Sequence, residues 1–156
     1  MKHVMLFCLL VVAVQGVCFA DSIKLLPEQR KVLGDASRFH MVRTAAGLPG
    51  AIVALCADWN GRFAEPGATW EATDYIRDET LPGKRLIWVA IAGEYYVVHY
   101  ERGGFAHSFH ILVATLGIGE RKPNIVWRSI GGPFKDYAAF VSALRNGELD
   151  DGSDYH

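Results

Sequence analysis

Downstream of residue 25 the chain alternates short apolar runs with turn-forming residues, and the spacing within each run sorts the elements. Leu26-Pro27-Glu28-Gln29-Arg30-Lys31-Val32-Leu33 places proline where a helix begins, an acid in the first turn and basic residues behind it. That is the charge order a helix dipole favours, so a short helix is predicted, ending near Gly34. Residues 38–44 alternate loosely and fit either a strand or irregular cover. Residues 49–57, apolar and alanine-rich behind Pro49, predict a buried helical turn or two rather than a strand. Asn60-Gly61 and Glu65-Pro66-Gly67 punctuate a loop, and residues 69–75 predict a strand.

Beyond Leu81-Pro82-Gly83 the pattern turns to β-forming residues. Residues 85–91 (RLIWVAI), 95–101 (YYVVHYE), 105–116 (FAHSFHILVATL) and 124–130 (NIVWRSI) read as strands. They are separated by Ala92-Gly93-Glu94, by Arg102-Gly103-Gly104 and by a polar loop over 117–123. Phe134, Tyr137, Ala138, Val141 and Leu144 then fall on one face of a closing helix that Asn146-Gly147 ends. Strands without regular intervening helices imply an antiparallel sheet. The expected fold is a single α+β domain over residues 21–147: a meander sheet of four or five strands, with a short N-terminal helix and a C-terminal helix packed on one face. Residues 148–156 read as an acidic flexible tail.

Ahead of this domain, Met1-Lys2-His3 opens positively and residues 4–14 (VMLFCLLVVAV) are apolar and uncharged, long enough for a signal-peptide core and short for a bilayer span. Cys18-Phe19-Ala20 supplies small residues at a cleavage position. Residues 1–20 are therefore expected to be a signal peptide cut near Ala20, placing the mature chain in the periplasm or outside the cell, with no membrane span of its own. Loss of the leader leaves 15 Lys and Arg against 17 Asp and Glu, a near-neutral balance that argues against nucleic acid as a partner. It also leaves Cys56 alone, so no internal disulfide can form, and its apolar neighbours make it a buried small hydrophobe.

Candidate chemistry gathers in His99-Tyr100-Glu101-Arg102-Gly103-Gly104-Phe105-Ala106-His107-Ser108-Phe109-His110, which holds three of the five mature histidines. With Gly103-Gly104 as a two-residue turn, Arg102 would pair with Phe105 and His99 with Ser108. Tyr100, His107 and Phe109 would then face the core, and His99, Glu101, Ser108 and His110 would share the other face. A longer turn would shift the register and undo this grouping. On the shared face, His99 and His110 could exchange protons while Glu101 orients an imidazole. An ordinary polar sheet surface has the same composition. A metal site would need His99, His110 and Glu101 together, and no metal or cofactor is expected. Ser108 lacks a nucleophile elbow, Gly117-Ile118-Gly119 opens no helix, and Asp150-Asp151-Gly152-Ser153-Asp154 is only a fragment of a calcium loop. Asp74, Asp78 and Glu79 read as salt-linked loop residues; Trp88 and Trp127 belong inside, and Trp59 and Trp70 are candidates for exposure.

Two functions fit this reading. The first is a non-enzymatic binding module of the cell envelope that engages a protein partner, as an inhibitor or immunity protein for a cell-wall-active enzyme does, through His99, Glu101, Arg102, Ser108 and His110. The second is a small hydrolase or lyase with His99 as base, His110 as acid and Glu101 as orienting carboxylate. They differ on whether those three side chains converge.

Overall fold

The computed structural model describes residues 24–75 and 78–149; the expected signal peptide and most of the expected tail lie outside the described residues. Its elements run α1 (Pro27–Gly34), a 3-10 turn (Ala36–Arg38), β1 (His40–Val42), α2 (Gly50–Cys56), β2 (Lys84–Ala92), β3 (Tyr95–Arg102), β4 (Ser108–Thr115), β5 (Asn124–Gly131) and α3 (Tyr137–Asn146). The strands form one sheet in the order β1-β2-β3-β4-β5, each antiparallel to its neighbours in sequence. This is the expected α+β meander, and residues 38–44, undecided in sequence, supply the fifth strand. No described helix is long and apolar enough to cross a membrane.

Both faces of the sheet are covered. On one, α1 and α3 pack Leu33, Tyr137, Phe140, Val141 and Leu144 over Trp88, Val97, Ile111, Val113 and Trp127. The two helices are tied together where the Tyr137 hydroxyl donates to the Leu33 carbonyl (2.8 Å) and Arg145 donates to that of Gly34 (2.7 Å). Asp136 caps α3 by accepting from the Ala139 N–H, and Gly147 ends it at φ 69°, a left-handed turn that only glycine makes cheaply. The buried stripe of α3 is Tyr137, Phe140, Val141, Ala143 and Leu144. Ala138, expected on that face, is exposed, and Phe134 precedes the helix, where it packs on the same core. On the opposite face α2 sets Ile52 and Cys56 against Leu86, Val89, Val98, Leu112 and Ala114.

A bulge between Leu86 and Trp88 explains how one continuous apolar run serves two cores. The extra residue lets Leu86 and Val89 face α2 while Trp88 and Ala90 face α3. Trp88 and Trp127 are fully buried, as the sequence predicts, and the Trp88 indole donates to the Phe134 carbonyl at 2.7 Å. The strand expected over residues 69–75 does not form. That stretch is a loop with one isolated bridge, Thr73 to Gly104, and its polar residues Glu71, Thr73 and Asp74 wall a cleft instead of extending a ladder.

Candidate functional site

The β3–β4 hairpin places the predicted site residues, and its register differs from the sequence expectation. Arg102 pairs with Ser108, Tyr100 with His110 and His99 with Ile111, so residues 103–107 form a five-residue loop in place of a two-residue turn. The shift is three residues, and an odd shift moves β4 to the opposite parity. Gly103 is committed elsewhere: its N–H donates to the Gly83 carbonyl (3.0 Å), and a Cβ there would lie 2.0 Å from the Glu71 carbonyl oxygen. Backbone packs directly on backbone at this point, so Gly103 cannot serve as the tip of a tight turn.

The consequence is a correction to the proposed cluster. His99 and His110 lie on opposite faces, and the shared face of His99, Glu101, Ser108 and His110 does not exist. His99 is wholly buried on the α3 side, its ring 5.0 Å from that of Trp88 and 5.6 Å from that of Phe134. Its Nδ1–H donates to the His110 main-chain carbonyl at 2.9 Å, and Nε2 has no partner. Burial holds its pKa down at about 4 against a usual 6.5, opposed by the His110 carbonyl and Glu101.

Glu101 also belongs to the α3 side, at the open end of the sheet. Its buried carboxylate accepts from Arg85 Nε at 2.6 Å and from His107 Nε2 at 2.8 Å. The Arg85 guanidinium lies 5.1 Å from the Trp70 ring, which meets the His107 ring edgewise at 5.4 Å. Both carboxylate oxygens are thus occupied, one by Arg85 of β2 and the other by His107, which fastens the 103–107 loop. His107, expected in the core, is a partly exposed loop residue, because the register that would have buried it is not the one adopted.

The other three predicted residues, Arg102, Ser108 and His110, do share a face, the one on the α2 side. There they meet residues that the sequence reading did not single out. Lys84 stands opposite Arg102 across the β2–β3 ladder, and Arg128 stands opposite Leu112 across the β4–β5 ladder. His110 stacks on Tyr100 with ring centroids 5.2 Å apart and planes 13° from parallel, and its Nε2 is 2.8 Å from Ser108 Oγ. Burial, together with Arg102, Lys84 and His99, holds the His110 pKa at about 4, so its imidazole is neutral at pH 7. Lys84 donates to the Ala57 carbonyl at 3.0 Å, with its ammonium 5.5 Å from the Tyr100 ring centre. Arg128 was the available signal: an arginine next to Ile125, Val126 and Trp127 in the strand NIVWRSI needs a polar space to enter.

Lys84, Tyr100, Arg102, His110 and Arg128 floor a cleft of about 580 Å³, walled by the loop between α2 and β2. Asp58 organises that wall. Its carboxylate accepts from the N–H groups of Asn60, Arg62 and Gly83, and these bonds outweigh burial and keep its pKa below the usual value. Trp59 lines the mouth and is 85% exposed, as the sequence suggested, whereas Trp70 packs against Arg85 and His107. Two further aromatics flank the Thr73–Gly104 bridge in sequence, Tyr75 (74% exposed) and Phe105 (96% exposed), each directly following a lining residue, Asp74 and Gly104.

Cys56 lies beneath this face, fully buried, with its thiol pushed up to about 12 by desolvation. It packs as a small hydrophobe. Among the described residues no three His, Cys, Asp or Glu side chains gather as a metal-holding group. Comparison of the chain with protein-family models, curated proteins and solved structures returns no match, so the chemistry of the cleft carries the functional reading.

Proposed function

We propose that this chain is a non-enzymatic binding module, exported to the cell envelope, that engages a protein partner through the mouth of the cleft, in the manner of an inhibitor or immunity protein for a cell-wall-active enzyme. The observation that carries the reading is a set of exposed aromatics: Trp59 lines an opening that contains Arg102, and Tyr75 and Phe105, both held in solvent, directly follow the lining residues Asp74 and Gly104. Large aromatics and arginine are the residue types that dominate protein interfaces, and leaving three such rings in water is unfavourable without an occupant.

Catalysis by His99, Glu101 and His110 loses its geometric basis, since a general acid and base must reach one substrate. The remaining hydroxyl–imidazole pair, Ser108 with His110, has an imidazole too weakly basic at neutral pH to activate an alcohol well.

The test is affinity capture from an envelope extract with wild type and a Trp59→Ala/Phe105→Ala variant. Both rings are exposed, so the variant should melt within a few degrees of wild type. A protein retained by wild type and lost by the variant is the expected result. Equal retention by both, or retention of nothing by either, would remove the rim as a binding surface.

A further inference from the structure

We infer that the floor of the cleft is a site for a compact oxyanion, a carboxylate or phosphate group carried by the ligand. This deepens the binding reading above and rests on it. The first observation is a convergence of like charge. Lys84 and Arg102 face each other directly across neighbouring strands, and Arg128 enters the same cleft from β5. Like charges directly opposite in a sheet are destabilising, so the arrangement stands at a cost unless an anion joins it. The crowding is felt at Lys84, whose ammonium is disfavoured first by burial and then by Arg102 and Arg128, against the opposing pull of Cys56 and Asp58.

The second observation is that two carboxylates near this floor, Glu101 and Asp58, are committed elsewhere. Glu101, next to Arg102 in sequence, points to the other face and is taken by Arg85 and His107. Asp58 is taken by three backbone N–H groups and lies 3.7 Å from Arg62. The Arg102 guanidinium has no ion-pair or hydrogen-bond partner among the described residues. Such a guanidinium, beside a second arginine and a lysine in a cleft with room for several non-hydrogen atoms, matches the planar or tetrahedral geometry of an oxyanion.

The wall adds selectivity. Glu71, Asp74 and Glu79 line the same cleft, on the loop side. Their charge opposes a free polyanion and favours an oxyanion attached to a neutral or cationic body, as at the end of a peptide.

The experiment is an NMR titration of the purified protein at constant ionic strength, with two probes in parallel: inorganic phosphate, and the dipeptide alanylalanine, which pairs a carboxylate with an ammonium. Saturable shifts at Lys84, Arg102 and His110 are expected with at least one probe, and the tighter probe identifies the source of the oxyanion. Arg102→Gln should weaken binding by about tenfold or more, the loss expected for a charged hydrogen-bonding partner. Arg128→Gln is the second variant, should the first fail to fold. Absence of saturation with both probes, or unchanged affinity in the folded variants, overturns the site. Partner capture that survives Arg102→Gln but fails with Trp59→Ala/Phe105→Ala would keep the rim and discard the oxyanion floor.

Discussion

Acidification should weaken this fold through His99, and the size of the effect follows from its surroundings. Its Nδ1–H is committed to the His110 carbonyl, so a second proton must go to Nε2, which has no acceptor and sits in an aromatic enclosure. A histidine whose pKa is depressed by folding binds protons more readily when unfolded. Stability is therefore whole above pH 6.5 and is lost as pH falls from 6.5 through about 4. Integrating between those two values, the step from pH 7 to pH 5 removes about 2 kcal/mol. The assay is urea denaturation at a series of pH values, for wild type and His99→Leu, a neutral side chain of similar volume. The variant starts lower, having lost a hydrogen bond worth about 1 kcal/mol. The informative quantity is the slope, because His110 titrates in both proteins. Wild type should lose about 2 kcal/mol more than His99→Leu over that interval. Parallel curves would refute the reasoning and would mean that the buried imidazole is protonated in the folded state at no penalty.

Three further outcomes are expected. Gly103→Ala should lower stability by about 2 kcal/mol or more, read as an earlier urea midpoint, because its Cβ would meet the backbone of Glu71 and Ala72. Glu101→Gln should destabilise by roughly 1–3 kcal/mol and free the 103–107 loop, seen as faster amide exchange there, since it leaves Arg85 without its counter-charge. Cys56 should resist thiol reagents in native buffer and react at once in denaturant, given its full burial and a thiol pushed up to about 12.

The parts of the fold legible in sequence are those set by local chemistry. Pro27 and Gly147 mark helix ends whatever the rest of the chain does, and Gly93 closes the β2–β3 hairpin at φ 58° with Ala92 paired to Tyr95. What local chemistry could not convey was which glycine was already in use. Gly103-Gly104 has the composition of a tight turn, but Gly103 is held by Gly83 and by the backbone of residues 71–72, which are distant in sequence. That one non-local contact lengthens the loop, flips β4 and separates His99 from His110. Arg102, Ser108 and His110 remained together because the true register also places them on a common face. Lys84 and Arg128 went unnoticed because each sits on a strand whose apolar neighbours dominate the pattern. Residues 69–75 differ from the strand pattern for the opposite reason: they have strand-like composition, but among the described residues their one bridge is to Gly104, outside the strands.

The way the cleft wall is attached has a consequence for how this protein can diversify. Among the described residues, the segment between α2 and β2 makes two isolated bridges, Ala64 with Arg85 and Thr73 with Gly104, and is otherwise anchored by side-chain bonds from Lys84 to Ala57 and from Arg85 to Ala68 and by the packing of Phe63, whereas the meander is closed by continuous ladders between sequence neighbours. The stretches of wall between these anchors are thus nearly separable from the scaffold. Residues between them can be exchanged, lengthened or shortened with most of the folding free energy untouched, provided that Asp58 still gathers its three N–H groups, Phe63 and Ala64 keep their packing and a glycine remains at 103. The cationic floor has no such freedom, since each of its residues is also a rung of a ladder. Variation in this architecture should therefore change what surrounds the bound group long before it changes the charge that holds it.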